Sequence, residues 1–498
     1  MTNFSIRLCV ALPLTGVLAS CMVGPNYHRP TVPIPAQYKE LAGWTAAAPA
    51  DAASKGDWWT DFNDELLDRL EPMVAVSNQT VRQSYANYQQ ALAEVSLARS
   101  QLLPTVGVSG SVTRSGGPGS SSNSNSNNAS ASTKRTSALD SGTLEGTASW
   151  TLDIWGQVRR TVEKNVATAQ ADAATLANAT LSEQTLLAST LVQLRTADAN
   201  IDLQEKMVEA YKEALRITKA QATAGINAAP PSAVITAQVA LETAQASLIG
   251  LGVTRAQFAH AIAVLVGRNP EELDIPHSGG MPTLPEVPTG VPSTLLQRRP
   301  DIAAAERTMA AQNAAVGIAV AAYYPTLSLS AADGFTQSPL AGLLHTANNV
   351  WSLGATGADT VLDFGGRHAQ VQAAKAAYEG AVASYRNTVL NAFASVDNDL
   401  SGLRILAEQA QALDVAVRDA IRGTDIALAE FKAGTVDYAT VAQAQIVQWN
   451  DQESALNVAQ NRLLDAVSLI GDLGGGWSDS QLFDPLHARS SAPAPTAP

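Results

Sequence analysis

The chain has 498 residues, of which 46% are hydrophobic, 5% aromatic and 15% charged. Typical soluble domains carry roughly 25% charged residues, so this composition argues against several thick globular cores and favours long helices that pack through small side chains. The net charge of −13 at pH 7 disfavours nucleic acid as a partner, and none is expected.

The first 20 residues are typical of an export signal, in which Arg7 precedes an apolar segment from Leu8 to Leu18. The sequence Leu18-Ala19-Ser20-Cys21 resembles the lipobox of bacterial lipoproteins, where the cysteine after the cleavage point is acylated. An ordinary signal peptide with an incidental Cys21 is the alternative. We predict a signal peptide over residues 1–20 and a covalent lipid on Cys21, with no other cofactor.

Removal of the signal peptide changes two further properties of the chain. The charge of −13 becomes −14 because Arg7 is lost, and Cys9 is lost as well, so no disulfide is expected. Residues 21–60 are predicted as an acylated, extended N-terminal segment because prolines punctuate its first half. No run of 18 consecutive apolar residues follows residue 21, so we expect no transmembrane helix.

Residues 61–275 are predicted as the first of two repeats. A helical region from 61 to 103 precedes two strands, at about 105–113 and 143–154, which alternate apolar and polar side chains. A flexible Ser/Asn-rich loop over 116–133 separates the strands. Such alternation is typical of a membrane β-barrel strand, and on these residues alone a soluble, half-buried hairpin is equally supported.

A long helical tract completes the first repeat. Residues 157–224 contain no proline and carry apolar residues at spacings of three, four and seven, so a continuous helix would extend about 100 Å. The helix ends at Gly225, and a returning helix is predicted at about 232–266.

The second half repeats the pattern after a Pro-rich linker over 276–292. Pro325-Thr326 opens a strand as Pro104-Thr105 does, and Leu362-Asp363-Phe364-Gly365-Gly366 resembles Leu152-Asp153-Ile154-Trp155-Gly156, 210 residues earlier. These parallels indicate an internal duplication. The second repeat is predicted over 293–475, with strands at about 326–335 and 351–364, helices at about 367–433 and 438–470, and a tail over 476–498.

Four strands cannot close a barrel, and exposed strand edges are not tolerated in a bilayer. If the strands are inserted in a membrane, copies of the chain must therefore associate in a ring, and three copies would supply twelve strands. Helices of about 100 Å are several times longer than the hydrocarbon layer and must project into an aqueous compartment. The predicted fold class is an α+β membrane protein with four strands per chain in a trimeric 12-stranded barrel, a helical tunnel in the periplasm and a small equatorial region.

Five ordered motifs resemble a known family. They are Cys21-Met22-Val23-Gly24-Pro25-Asn26-Tyr27-His28-Arg29-Pro30, Asp57-Trp58-Trp59 with Asp61-Phe62, Leu295 to Ile302 with Ala304-Ala305-Glu306, Tyr323-Tyr324-Pro325, and Leu473-Gly474-Gly475-Gly476-Trp477. On these motifs the mature chain resembles the lipoprotein outer-membrane factors of the NodT and OprM type, relatives of TolC.

The resemblance implies a homotrimer in the outer membrane that docks onto a periplasmic adaptor (a membrane fusion protein) and an inner-membrane transporter. Such channels complete tripartite efflux pumps, commonly of the resistance-nodulation-division type. Met22 after the acylated cysteine favours the outer membrane over inner-membrane retention. The implied function is a passive exit duct for drugs or other small toxic compounds. The alternatives are the outer-membrane channel of a type I protein secretion system and a structural lipoprotein without a pore.

The turns at the ends of the long helices are the candidate functional positions. Gly225 and Gly434 match the tip glycines that adaptors contact in this family. Asp437 is the nearest acid to the second tip and could form a negative ring in a trimer, or could simply cap the following helix. Gln443 stands where relatives frequently have an aspartate.

No enzyme chemistry is visible in the sequence. Arg298-Arg299-Pro300-Asp301 is ordinary helix-start chemistry rather than a phosphate site, and we expect Glu306 to pair with the two arginines. The six histidines stand far apart without metal-ligand spacing, so no metal site is expected.

Overall fold

The described part of the chain is divided into two compact units in the computed structural model. One unit contains residues 91–168 and 308–381 with the N-terminal residues up to 28, and the other contains the remainder. Each unit thus draws on both sequence repeats. The residues described are 22–31, 39, 57–115, 139–224, 231–285 and 298–478.

Helices and strands alternate along both halves of the chain. The strands are β1 (Thr105–Ser115), β2 (Leu139–Leu152), β3 (Thr326–Gln337) and β4 (Asn349–Ala358). The α-helices of the described residues are α1 (Glu65–Ser77), α2 (Gln79–Ser100), α3 (Gln157–Thr223), α4 (Pro231–Leu265), α5 (Pro300–Ala321), α6 (Gly366–Lys432) and α7 (Tyr438–Asp472).

The four strands form one antiparallel sheet in the order β1-β2-β3-β4. Thr105 pairs with Ser149 within the first hairpin, Ser149 pairs with Ser330 between the hairpins, and Ser330 pairs with Gly354 within the second. The hairpins of the two repeats are therefore joined through β2 and β3, which leaves β1 and β4 as the sheet edges.

The register divides the sheet into an apolar and a polar face, because side chains alternate along each strand and paired residues share a face. Trp150 pairs with Leu329, and Leu329 pairs with Ala355, so their side chains lie on the same face. The apolar face carries Val106, Val108, Val112, Leu144, Ala148, Trp150, Leu152, Leu327, Leu329, Ala331, Phe335, Trp351, Leu353 and Ala355. The other face is mainly Ser, Thr and Gly.

The second unit is built largely from long helices. Helices α3 and α6 each have 67 residues, and α4 and α7 each have 35. At 1.5 Å per residue the two longer helices extend about 100 Å. Equal lengths in the two halves agree with an origin by duplication.

The largest apolar core of this unit lies where the short helix α1 meets the long helices. Trp58, Phe62 and Leu67 pack with Leu191 of α3 and Ile262 of α4, and all of them are almost fully buried. Trp58 and Phe62 meet edge to face with ring centroids 6.1 Å apart. These aromatic residues belong to the motif at 57–62. The motif therefore contributes to the apolar core.

The predicted helical region from 61 to 103 is interrupted at Asn78. The Asn78 Oδ1 accepts hydrogen bonds from the backbone N–H groups of Thr80 and Val81, at 2.8 and 3.2 Å, as a helix N-cap does. In a single continuous helix, backbone carbonyls four residues earlier would accept the hydrogen bonds of those N–H groups. The region therefore contains two helices, α1 and α2, whose junction is fixed by this side chain.

The strand predicted at 351–364 is wrong beyond Ala358, where β4 ends. The following residues turn because Asp363 accepts from the backbone N–H groups of Gly365 and Arg367, at 3.1 and 2.9 Å, and Phe364 has φ +51°. Asp359 lies outside the strand and pairs with Arg367. In the first repeat, β2 likewise ends at Leu152 rather than 154, and it begins at Leu139.

Helix α4 bears on the expectation that no transmembrane helix follows residue 21. By length and composition it is apolar enough to cross a membrane, with a mean hydropathy of 1.5 over an 18-residue window of which 17% is buried. The sequence test required an unbroken apolar run, and isolated polar residues such as Arg255 interrupt this one. Composition alone is weak support for a membrane span.

The predicted combination of very long helices with four strands is confirmed. Several predicted segments extend beyond the described residues: Cys21, the loop over 116–133, Gly225, most of the extended N-terminal segment, and parts of the linker and the tail.

Candidate functional site

The polar face of the sheet carries one charged side chain among the described strand residues, that of Glu145 on β2. Its neighbours across the two strand pairs are Ser109 and Gly334. Asp333, by contrast, pairs with Gly146 and so projects from the opposite face. The alternation in the sequence also places Glu145 on the polar face, but it assigns the residue no role.

The junction between the first hairpin and α3 is rigidly built. The Trp155 indole stacks on Tyr324 with centroids 4.7 Å apart, and its Nε1 donates to the Pro325 carbonyl at 2.8 Å. Asp153 accepts from the backbone N–H of Arg159 at 2.9 Å and pairs with its guanidinium at 3.1 Å. The two repeats are thus held together at the point where strands become helices.

The N-terminal segment is clamped at the same junction by Arg160, whose side chain is 1% exposed. Its guanidinium donates to the carbonyls of Val23 and Gly24, each at 3.2 Å, and to Asn26 Oδ1 at 2.9 Å. Gly24 has φ +91°, and a Cβ there would stand 2.5 Å from the Gly317 Cα. Only glycine meets both demands. The chain is therefore positioned almost directly after Cys21.

The connection between α6 and α7 is shaped by Gly434 and Asp437. Gly434 has φ +75°, and the next N–H, of Thr435, returns to the Glu430 carbonyl at 3.0 Å, which is a Schellman-type helix end. Asp437 then caps α7, because its Oδ1 accepts from the Thr440 N–H at 3.0 Å and hydroxyl at 2.9 Å. These bonds, first the hydroxyl and then the N–H, lower the pKa of Asp437, so the carboxylate is charged at neutral pH.

The side chain of Gln443 lies one to two turns after this cap and is exposed. It lines an open groove of about 640 Å³ together with Asp437, Ala439, Thr440, Gly423 and Val447. Apolar packing stabilises the turn, because Phe431 before it and Tyr438 after it are almost fully buried with ring centroids 6.0 Å apart. The predicted gate candidates Asp437 and Gln443 are thus brought to one groove, and Gly434 lies beside it in sequence.

The arginine motif is structural, although its pairing differs from the prediction. Arg299 forms two hydrogen bonds with the Asp301 carboxylate, at 3.0 and 2.8 Å, and also reaches Asp472 at 2.9 Å. Glu306 pairs with Arg307. The expectation that Glu306 pairs with Arg298 and Arg299 is therefore wrong, because the helix start holds Arg299 against Asp301 and the end of α7 instead.

Sequence analysis missed a cluster of ionisable side chains around His277. His277 lies 2.8 Å from Asp202 and 3.1 Å from Asp198, both on α3, and Arg255 of α4 reaches Asp198 at 2.6 Å. The hydrogen bond with Asp202, opposed in part by burial, raises the pKa of His277. The partners lie far apart in sequence, so no local pattern indicates this contact.

A sequence model of the outer membrane efflux protein family matches residues 72–268 and 291–475. The chain belongs to the outer membrane efflux protein family. It is 27% identical over 467 residues to the toluene efflux pump outer membrane protein TtgC of Pseudomonas putida, covering 93% of this chain and 94% of TtgC. It is 28% identical to nodulation protein T of Rhizobium leguminosarum bv. trifolii, covering 91% and 92%.

Solved structures agree with the membership in the outer membrane efflux protein family. The outer-membrane channel OprN superposes with a TM-score of 0.82 at 27% identity, over 92% of this chain and all of OprN. The resemblance to the NodT and OprM type stated from sequence motifs is thereby confirmed. The family is one of efflux channels rather than of enzymes.

Proposed function

We propose that the protein is the outer-membrane exit duct of a tripartite efflux pump and that it acts as a homotrimer without catalysing a reaction. One observation carries the proposal: the four-stranded sheet has an apolar face, a polar face and, among the described residues, two edges without a partner strand. An apolar face suits lipid, a polar face suits water, and open edges are tolerated in a bilayer only when other strands cover them.

Trimerisation follows from strand number. Four strands are too few to close a barrel, whereas the twelve strands of three chains leave a water-filled lumen. The polar face with Glu145 would then line the lumen, and the face with Trp150 and Leu353 would contact lipid.

The long helices supply the periplasmic tunnel of the proposed duct. Helices α3 and α6 reach about 100 Å, several times the thickness of the hydrocarbon layer. The turns near Gly225 and Gly434 are the proposed contacts for a periplasmic adaptor, which links the duct to an inner-membrane transporter of the resistance-nodulation-division type. Asp437 and Gln443 are the proposed gate positions at the tunnel entrance.

A lipid on Cys21 is the proposed anchor in the outer membrane. The ordered contacts of Val23, Gly24 and Asn26 with Arg160 support this assignment, because they hold the chain close to the acylation site. Several acyl chains on one residue give firm anchoring.

The proposed cargo is a small apolar toxic compound. The relatives of this chain include outer-membrane proteins of toluene, solvent and antibiotic efflux pumps, which supports this class of substrate. A deletion strain should become more sensitive to toluene and hydrophobic antibiotics, and the wild-type gene should restore resistance. The purified protein should open ion-conducting pores in planar bilayers. A purified, membrane-extracted protein without conductance would contradict the proposal.

A further inference from the structure

Residues 275–283, in the connection between α4 and α5, lie against α3 and are called the strap below. We propose that the strap is a pH-sensitive latch: the imidazolium of His277 holds it on α3, and loss of the His277 proton loosens it. This inference goes beyond the proposed function and does not depend on it.

The His277 ring lies between two carboxylates of α3. Its Nε2 is 2.8 Å from Asp202 Oδ1, and its Nδ1 is 3.1 Å from Asp198 Oδ1. An imidazolium carries an N–H group on both nitrogens and donates both hydrogen bonds, whereas a neutral imidazole carries only one. In the neutral ring one nitrogen lone pair faces a carboxylate oxygen, and that contact becomes repulsive. The arrangement therefore suits the charged ring.

The backbone of the strap is bound to the same carboxylates. Asp198 is fully buried, and its Oδ2 accepts the Ser278 N–H at 3.0 Å. Its Oδ1 accepts from Arg255 at 2.6 Å, and Arg255 also donates to the Ile275 carbonyl at 2.9 Å. Because the His277 ring and the strap backbone share one buried acceptor, a movement of the ring acts directly on the strap.

One of the two carboxylates depends more strongly on the His277 proton than the other. Asp198 keeps its bonds to Arg255 and to the Ser278 N–H when the ring is neutral. A Cβ at Gly279 would overlap Asp202 Oδ2, so the strap backbone lies directly against Asp202. A neutral ring weakens the contact with Asp202, and the strap loosens on that side.

The far end of the strap is attached without any ionisable group. The Thr283 N–H donates to the Phe62 carbonyl at 2.9 Å, and the Met281 sulfur accepts from the Thr196 hydroxyl. The movement is therefore confined to the residues between Ile275 and Met281.

The direction of the pH dependence follows from the charges around the ring. The hydrogen bond with Asp202 raises the pKa of His277 above 6.5, burial opposes it, Asp198 adds to it, and Arg255 opposes it. The stabilisation is therefore complete below about pH 6.5 and is lost as the pH rises through the His277 pKa of the folded protein. The other charged groups close to these carboxylates or to the strap are Arg195, Lys206, Asp64, Glu65 and Arg69.

The strap also forms one wall of a cavity of about 650 Å³. Ser278, Gly280 and Met281 line the cavity from the strap, and Arg69 of α1 and Arg195 of α3 line it from the opposite side. A looser strap therefore admits more solvent between the connection and the two helices. The latch makes the packing at this place respond to the pH of the surrounding solution.

A spin label at position 280 measures the mobility of the strap. A Cβ at Gly280 meets no atom closer than the Ser278 Oγ, at 3.9 Å, so a cysteine fits there. Cys9 lies in the predicted signal peptide and Cys21 is the predicted acylation site, so G280C supplies the free thiol of the mature chain. In the full-length protein in detergent, the mobile fraction of the nitroxide, measured by electron paramagnetic resonance, should rise between pH 5.5 and 9 with a midpoint above 6.5.

Three second substitutions in the G280C protein identify the group that titrates. H277Q removes the titrating ring, so the label should be mobile at both pH values. D202N keeps the size of Asp202 and removes its charge, so the midpoint should move to lower pH. H260Q is the matched control, because His260 is an exposed histidine on α4, and it should leave the curve unchanged.

The outcomes separate the latch from the proposed function. Label mobility that does not change with pH, or that changes equally with and without H277Q, overturns the latch. An unchanged midpoint in D202N overturns the role of Asp202 in holding the ring proton. Circular dichroism at both pH values shows whether each variant is folded. Because bilayer conductance is measured separately, a failure of the latch leaves the proposed duct intact.

Discussion

Glu71 of α1 is a fully buried carboxyl group, and neither of its oxygens has a hydrogen-bond partner among the described residues. Burial raises the pKa of Glu71 from 4.5 to about 9. The folded protein therefore keeps the Glu71 proton at neutral pH, while the unfolded chain releases it above about pH 4.5.

This difference makes stability depend on pH in a defined direction. Between pH 4.5 and 9 the folded state binds more protons than the unfolded state, so the Glu71 contribution to stability falls as pH rises. Each pH unit costs roughly 1 kcal/mol. E71Q should raise the thermal unfolding midpoint at pH 8.5 more than at pH 5.5, measured by circular dichroism in detergent.

E65Q is the matched control for E71Q, because Glu65 is an exposed carboxyl in the first turn of the same helix. Its effect should be small and nearly equal at the two pH values. Asp399, whose pKa is raised to about 8 chiefly by burial, adds a pH dependence common to all variants. Equal shifts for E71Q at both pH values would show that Glu71 is ionised in the folded protein.

Asp437 can now be tested as a cap and as a charge separately. Asparagine caps helices as well as aspartate does and carries no charge. D437N should therefore preserve α7, whereas D437A should remove the bonds to Thr440. If the carboxylate forms a gate ring, D437N lowers cation preference in bilayer conductance. If neither D437N nor D437A changes ion selectivity, Asp437 acts only as a helix cap.

At the scale of elements, the junction of α1 and α2 depends on one side chain. Asn78 caps α2 with its Oδ1, and its Nδ2 donates to the Leu265 carbonyl and to Glu183, both at 2.9 Å. N78A should destabilise the protein by about 2–3 kcal/mol, because it removes a cap and leaves buried groups without partners. Thermal or chemical unfolding in detergent measures the loss.

The neighbouring residue gives the control for Asn78. Gln79 is exposed and its side chain donates to the Ser77 carbonyl close by in sequence, so Q79A should change stability little. N78D keeps the cap and loses the two donated bonds, and it places a second carboxylate beside Glu183. A stability of N78A equal to that of Q79A would show that other contacts hold the junction.

Periodicity predicted the elements well because their patterns are local. The alternation around Trp150 and the proline-free tracts of α3 and α6 needed no knowledge of distant residues. The break at Asn78 was missed because its apolar spacing continues across the junction. The end of β4 was missed because Asp363 and Arg367 form a turn that no alternation reveals.

Contacts between distant residues could not be predicted in the same way. The Arg160 clamp joins residues more than 130 positions apart, and the pairing of β2 with β3 joins the two repeats. The number of residues that separates corresponding positions of the two repeats was also predicted imperfectly from local motifs. Sequence motifs gave 210 residues, whereas the strand register matches Ser149 with Ala358, the respective partners of Thr105 and Thr326, one residue fewer, because Phe364 and not Gly365 corresponds to Trp155.

At the scale of the whole molecule, Glu145 is the charged side chain that the described strands place on the polar face. In a trimer it places three carboxylates around one level of the lumen, which favours cations. E145Q should reduce the ratio of cation to anion permeability, measured as the reversal potential in a salt gradient across a planar bilayer.

Asp333 provides the control from the opposite face of the same sheet. D333N removes the same charge from the apolar face, where it accepts a hydrogen bond from Asn349 at 3.0 Å, so selectivity should not change. If D333N alters selectivity as much as E145Q does, the assignment of the two faces is wrong.

Helix α4 has a consequence for how the protein is made. If the chain is exported as proposed, a segment with mean hydropathy 1.5 must pass completely through the inner membrane, although its composition approaches that of a segment that stops there. Arg255, Gln257 and His260 interrupt the apolar sequence of this segment, and each opposes partitioning into lipid. Leucine at these positions would help the translocation machinery release α4 sideways. If the chain is exported as proposed, these polar residues therefore favour its complete passage through the inner membrane.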